Sequence, residues 1–438
     1  MTADRPAAAA EPKRTADANA PLGERATSSV ELLWDLVFVF AVTQVTTLLA
    51  DHTSWERFGE AMLALAIVWW AWSAFVWVSN AFPADSPALR GYLLTCTALI
   101  FIVGLALPHA FGAYGLLFAC AYTAVRLVHL KLYTDASAQG RAGRDAIGGF
   151  AITSIAGMAL LLGGALLSGW PRAALWTVGI AIDYAGPVWL TRERLRGLQR
   201  VAVAHFADRY GDFVIICLGE SIVSIGVGVA DRQRRLSPGL VTAATLGLLI
   251  AVGMWWTYFH ELAERAQSRL REHADPVLAA ADSFSYLHLV IVAGIIVFAG
   301  GIRLVVHGSL GAPMSAAGRL AFCGGVALYL GGVSAFRLRM LGQPSPGRLA
   351  VAAALLVLFV VGAGFAAWLI TLLSALLILT LCAVELVLSD EGDEAGHGDG
   401  GAGSGLGGYR VLSAPPGSVP ASGSDDSSGS TDAAGSRP

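Results

Sequence analysis

Twelve apolar stretches alternate with short polar links between residues 30 and 389. They lie near 30–50, 58–81, 89–108, 112–131, 147–168, 172–190, 205–230, 238–260, 284–307, 317–338, 347–363 and 366–389. About 20 apolar residues in a helix span the roughly 30 Å hydrocarbon core of a bilayer. Lipid offers a backbone no hydrogen-bond partner, so each stretch is expected to be helical. The last two form one run interrupted by Gly362, Gly364 and small residues. One helix of that length would overshoot the membrane, so a break is expected there. The pattern predicts an all-α, polytopic membrane bundle of about twelve transmembrane helices. The longest link, around 261–283, is too short for a soluble domain.

Two stretches carry acids spaced one helical turn apart where oil is expected. Val30 to Ala50 reads VELLWDLVFVFAVTQVTTLLA, with Glu31 and Asp35 one helical turn apart. His205 to Ala230 reads HFADRYGDFVIICLGESIVSIGVGVA, with Asp208 and Asp212 again four apart and Glu220 deeper. An unpaired carboxylate at that depth costs a few kcal/mol, so it faces a protein interior, an aqueous cavity or a partner. Positions four apart stack on one face of a helix. Glu31 and Asp35 therefore point together, as do Asp208 and Asp212, with His205 on the same side. Capping of a helix N-terminus explains Glu31 and Asp208 equally well. Asp35 and Asp212 lie a turn deeper.

Glu220 falls near mid-membrane, between Gly219 and Ser221. A carboxyl there is expected to be uncharged or paired. It is either a proton or cation site or an interhelical hydrogen bond that locks the bundle. Gly219 is expected to admit a second backbone. Gln44 sits at a similar depth in the first stretch, but nine residues from Asp35, on nearly the opposite face.

Arg126 in the fourth stretch and Arg303 in the ninth read as intramembrane cations. Arg126 is expected to form a structural ion pair with Asp35, Asp212 or Glu31. Arg303 nears a helix end and can snorkel. Asp183 has no evident partner. Tyr286 and His288 are relay candidates, with a satisfied core histidine as the plainer reading. His260-Glu261 with Glu264 departs from the HExxH zinc pattern, so no metal is expected. Trp69 and Trp70 are central enough to pack against neighbours rather than join an interfacial belt.

The two halves echo each other in order. Glu31-x3-Asp35 matches Asp208-x3-Asp212, Trp69-Trp70 matches Trp255-Trp256, and Tyr92-Leu93 matches Tyr286-Leu287. Ordered matches of this kind point to duplication. The expected organisation is an arm over 1–29, six-helix repeats over 30–195 and 196–389, and a tail over 390–438.

Composition supports the membrane reading: 55% of the 438 residues are hydrophobic and 14% charged, against about 25% charged in soluble proteins. The net charge of −3 hides an acidic tail. No basic patch is interleaved with aromatics, which excludes a nucleic-acid footprint. The five cysteines all fall in apolar runs and form no CxxC, as buried small hydrophobes do. Residues 1–26 lack the apolar core of a cleavable signal, so the first span is expected to stay. Both ends read as unstructured. Placing the N-terminus inside puts 22 of the 29 Lys and Arg residues on that side, so both termini are expected in the cytoplasm. No phosphate loop, nucleophile elbow, haem or flavin motif occurs, and no cofactor is expected.

Three segments together resemble the bacterial low temperature requirement protein A family: VELLWDLVFVFAVTQ from Val30, HFADRYGDFVIICLGESIVSIG from His205, and SYLHLVIVAG from Ser285. The resemblance covers about 30–389 and implies a multi-pass protein of the cytoplasmic membrane, not a substrate. The family's marked positions fall on Glu31, Asp35, Gln44, His205, Asp208, Gly211, Glu220 and Ser221. Asp208 stands where the resemblance leads one to expect Glu.

Duplicated halves, internal acids and the lack of a cofactor motif point to passage of a small cation or a proton-coupled solute. Glu31, Asp35, Gln44, His205, Asp208, Asp212, Glu220 and Ser221 are the candidate path. The expected partners are the bilayer, a proton or small cation, and a second copy of the chain. Two other classes stay open: a structural or sensory membrane protein of cold or stress adaptation, and a lipid-acting enzyme using the Asp/His cluster as acid and base.

Overall fold

The computed structural model describes residues 27–51, 54–80, 82, 86–138, 144–186, 203–230 and 236–397. The arm before residue 27 and the tail beyond 397 lie outside the described residues. The chain divides into two units after Val387. The first holds the bundle; the second begins at Leu388, and its described residues, through 397, are helical.

Regular structure among the described residues is helical, apart from one isolated bridge between Pro313 and Ala366. The helices are α1 Ser29–Asp51, α2 Trp55–Ser79, α3 Pro87–Ala106, α4 Gly115–Ala138, α5 Arg144–Ala165, α6 Trp170–Ala185 and α7 Val203–Ala230. There follow α8 Pro238–Phe259, α9 Leu262–Glu272, α10 Pro276–His307, α11 Ala316–Leu341, α12 Pro346–Val361 and α13 Ala367–His397. Ten of the twelve expected spans are helices long and apolar enough to cross a membrane. The other two, α5 and α6, are also helical and pack closely on each other. The surrounding medium is a lipid bilayer.

Helix ends follow local chemistry. Ser54, Ser86, Ser237 and Asp275 each accept a backbone N–H at a helix start, which satisfies one of the four donors a helix leaves open. Pro87, Pro238 and Pro276 take the first turn, where a missing N–H does no harm. Gly342 ends α11 at φ 67°, the left-handed conformation that favours glycine. The break before α13 falls at Gly362–Gly364, a 3-10 turn followed by extended Phe365, as expected. The 261–283 link is more ordered than expected. It holds amphipathic α9, whose Leu262, Ala266 and Leu270 are buried, and the first turns of α10.

Burial separates centre from periphery. In α2 and α10, 78% of the membrane window is buried, against 28% in α12. α10 packs on α1, α7 and α11. Its Gly294 and Gly301 lie against the backbones of Tyr329 and Phe322 on α11, and Gly325 of α11 lies against Phe298. No side chain fits at these crossings, which is how small residues bring membrane helices together. α10 is also locally widened: Ala281–Leu287 is a π turn, a distortion that often accompanies functional sites.

A candidate functional site along the α1–α7 seam

α1 and α7 run side by side in one direction. Glu31 meets His205, Asp35 meets Arg209 and Thr43 meets Glu220, at sequence separations of 174, 174 and 177. Near-constant separation is the signature of parallel helices in register.

The first layer lies at the N-terminal end of both helices. Arg209 spends Nε and Nη2 on the two oxygens of Asp35, at 3.1 and 2.6 Å, and Nη1 on Glu31 at 3.2 Å. Such a fork matches the planar geometry of a guanidinium. Trp72 Nε1 donates to Asp35 Oδ1 at 2.7 Å. Glu31 Oε2 accepts from Ser28 N at 2.9 Å and Ser28 Oγ at 2.8 Å, half of a capping box. His205 Nε2 lies 3.3 Å from Glu31, and Nδ1 lies 3.0 Å from Asn80 Oδ1. Asn80 Nδ2 donates to Val76 O, which fixes the amide with its oxygen toward His205. Both imidazole nitrogens thus face side-chain oxygens. Two carboxylates here meet a guanidinium and an imidazole. Glu31, Asp35, His205 and Arg209 are each 1% exposed or less.

The aromatic layer beside it is tied to the π turn of α10. Trp69 Nε1 donates to Ser285 O at 2.8 Å and Trp77 Nε1 to Ser285 Oγ at 2.7 Å. The Tyr210 hydroxyl bridges Ser73 Oγ and Ser285 Oγ at 2.8 and 3.1 Å. Trp69 and Trp72 meet Tyr210 edge to face, and Phe213 packs on both tryptophans. Trp69 therefore packs against neighbours as expected, and Trp70 stacks on Tyr184.

The third layer is Glu220. Thr43 Oγ1 donates to its Oε2 at 2.6 Å and Ser224 Oγ to its Oε1 at 3.1 Å. No ion pair to it within 4 Å occurs among the described residues. Thr43 lies eight residues beyond Asp35, about 12 Å along the helix axis. Buried Phe38, Val42, Phe213 and Cys217 fall between the two layers in sequence. One turn past Thr43, Thr47 Oγ1 accepts from Arg303 Nη1 at 3.4 Å. Arg303 turns inward to α1 rather than snorkelling outward.

A profile of the bacterial low temperature requirement A protein family matches residues 26–384. The chain belongs to this family. A protein of Rhizobium meliloti (strain 1021) described as uncharacterized is 33% identical over 279 residues, covering 62% of this chain and 67% of its own.

Several expectations about this family member change in the structure. His205 shares its face toward α1 with Arg209, not with the neighbouring aspartates. Asp208 is exposed and accepts from Gln267 Nε2 at 3.0 Å; Asp212 accepts from Thr27 Oγ1 at 3.3 Å. Both line a cleft of about 310 Å³ with Gly211, Phe259 and Gln267. Arg126 pairs with none of Asp35, Asp212 and Glu31. Its Nη2 holds both oxygens of Asp183, at 3.0 and 2.9 Å, and Ser154 Oγ at 2.8 Å. Asp183, which lacked a partner on sequence grounds, is thus the acid of a second buried pair between α4 and α6. Thr43, not the half-buried Gln44 beside it, touches Glu220. Ser221 is buried, and its hydroxyl has no hydrogen-bond partner among the described residues. An added Cβ at Gly219 would meet nothing within 4 Å, so no backbone approaches there. Tyr286 and His288 do not join in a relay. Tyr286 donates to Tyr184 O at 2.9 Å, while His288 takes Tyr258 OH at 2.7 Å and donates to Ser283 O at 3.0 Å.

Arg209 is the residue that sequence reasoning missed. Its place near a helix end groups it with the positive residues that flank the membrane. The signal lies in the spacing: His205-x3-Arg209 repeats Glu31-x3-Asp35 with basic side chains in place of acids.

Proposed function

We propose that this protein moves a proton or a small cation across the membrane, and that Glu220 holds the ion in transit. The observation that carries this reading is the pair of hydroxyls around Glu220. A hydroxyl donates to a carboxylate and, by rotating, accepts from a carboxylic acid. Thr43 and Ser224 therefore satisfy Glu220 in both protonation states. Asp35 is built differently: guanidinium N–H and indole N–H groups can only donate, which fixes it as an acceptor. In this reading Glu31, Asp35, His205 and Arg209 form a latch that keeps one end of the seam shut, and Glu220 is the site behind it. Glu220 is 4% exposed, so transit requires α1 and α7 to part.

Two six-helix repeats of like orientation fit this scheme. Within the first half, the first helix packs on the second and third, the third on the fourth, and the fourth on the fifth; α7 to α12, with α9 set aside, pack in the same order. The Lys/Arg bias favours the N-terminal end of α1 as the cytoplasmic one. Asp208, Asp212, Gln44 and Ser221 flank the route rather than line its centre.

The test is flux into proteoliposomes loaded with a pH-sensitive dye, run with and without Na⁺ or K⁺ gradients. Glu220→Gln keeps the size and both hydroxyl partners but cannot carry a proton. Wild-type flux above that of protein-free vesicles, abolished by Glu220→Gln, is expected. Equal flux in both proteins, or none in wild type, refutes the proposal. The fully paired latch is the observation favouring the competing class, a structural or sensory protein of cold or stress adaptation, and that class predicts no flux from wild type.

A further inference from the structure

Few oxygens face Glu220, and they suit one kind of ion. The carboxylate has two of its own, and Thr43 and Ser224 each bring one hydroxyl. Thr43 Oγ1 lies 2.6 Å from Glu220 Oε2 and 3.0 Å from Val39 O, the carbonyl one turn back on α1. A hydroxyl has one proton to give. It serves the carboxylate when Glu220 is charged. When Glu220 is itself the donor, the hydroxyl accepts from it and turns its own proton to Val39 O. That carbonyl keeps Thr43 satisfied after a proton arrives, without either helix moving.

Arg303 stands beyond the site, toward the C-terminal ends of α1 and α7. Thr47, four residues and about 6 Å past Thr43, donates to Thr43 O at 3.1 Å and accepts from Arg303 Nη1 at 3.4 Å. Arg303 lies within Coulombic range of Glu220. Its backbone is set close against α7, where a Cβ at Gly228 would meet Arg303 O at 2.9 Å and Cα at 3.4 Å. The guanidinium is therefore a positive charge held near the carboxylate, its backbone placed by α7 and its tip by α1.

We propose that the ion Glu220 carries is a proton, and that Arg303 bars metal cations from it. This rests on Glu220 being the transport site and names what occupies it. A metal cation trades its water shell for oxygen ligands: six or more around Ca²⁺ and Mg²⁺, rings of carbonyls around K⁺. One carboxylate and two hydroxyls fall short of such a shell. A metal cation also keeps its charge when bound, so it meets the Arg303 guanidinium about one turn away. A proton needs a single oxygen and leaves a neutral acid, which the guanidinium does not repel.

The experiment is flux into proteoliposomes of the full chain. An enclosed pH-sensitive dye reads proton entry, and radiolabelled Na⁺ and Rb⁺ read metal-cation entry. Wild-type proton entry should be the same in Na⁺, K⁺ or N-methylglucamine, with no labelled cation entering above the level of Glu220→Gln. Arg303→Gln and Arg303→Met each remove the charge and should raise the ratio of Na⁺ to proton entry at least about tenfold, the scale of two charges one turn apart in protein. Arg303→Lys keeps the charge and should stay within about twofold of wild type. An unchanged unfolding midpoint confirms the fold of each variant. Labelled cation entering wild type and lost in Glu220→Gln overturns the proton and leaves Glu220 as a transport site. A ratio unchanged in both neutral variants, or raised equally by lysine, overturns the part given to Arg303. No flux in wild type, or flux that survives Glu220→Gln, refutes the transport reading and this assignment with it.

Discussion

Replacing Arg209 by glutamine isolates what holds the latch together. Glutamine removes one charge that faces two carboxylates. Glu31 keeps Ser28 N, Ser28 Oγ and His205. Asp35 keeps only Trp72 Nε1. The loss therefore falls mainly on Asp35, which is fully buried and has no water to replace the guanidinium. Removing one partner of a buried ion pair costs about 3–5 kcal/mol, because the other charge is stranded. Since Arg209 is 1% exposed, solvent screening does not reduce that figure. Adding Asp35→Asn to Arg209→Gln removes the stranded charge and should return about 1–3 kcal/mol. The assay is unfolding of the full chain by SDS titration from mixed micelles, followed by tryptophan fluorescence, for both single variants and the double. A loss below about 1 kcal/mol in Arg209→Gln would refute the argument. So would a double variant whose loss equals the sum of the singles, since partners in one ion pair must couple.

Asp183→Asn strands Arg126 in the same way and should cost about 3–5 kcal/mol by the same titration, with no effect of Glu31 or Asp35 substitutions on that loss, since the two pairs share no partner. Gly294→Ala drives a Cβ into the Tyr329 backbone and should cost about 1–3 kcal/mol, whereas Gly219→Ala meets open space and should lie within about 0.5 kcal/mol of wild type or gain slightly from helix propensity. Equal effects at the two glycines would show that α10 and α11 do not need their close approach.

Helix placement was legible because lipid imposes one requirement on every span: about 20 apolar residues with no backbone group unpaired. The acids were legible for the converse reason, as carboxylates in oil demand an explanation. Their partners were not. Arg126 has three carboxylates at plausible depths, and one-dimensional spacing cannot say that Asp183, 57 residues on, turns toward it. Depth alone also ranked Gln44 with Glu220, where the rotation of α1 presents Thr43 instead. Arg209 was hidden by its position near a helix end, where arginine is ordinary. The internal match of Glu31-x3-Asp35 to Asp208-x3-Asp212 relates acids to acids, while the contact itself joins the acids of α1 to an imidazole and a guanidinium of α7.

The separation of 174 residues between each latch acid and its base bears on biosynthesis. When α1 enters the membrane, His205 and Arg209 have yet to be translated. Two carboxylates must be sheltered by the insertion machinery, by water or by protonation until α7 arrives beside them. A ribosome-released fragment ending after α6 would hold Glu31 and Asp35 without His205 and Arg209, and quality-control proteases should clear it faster than the full-length chain.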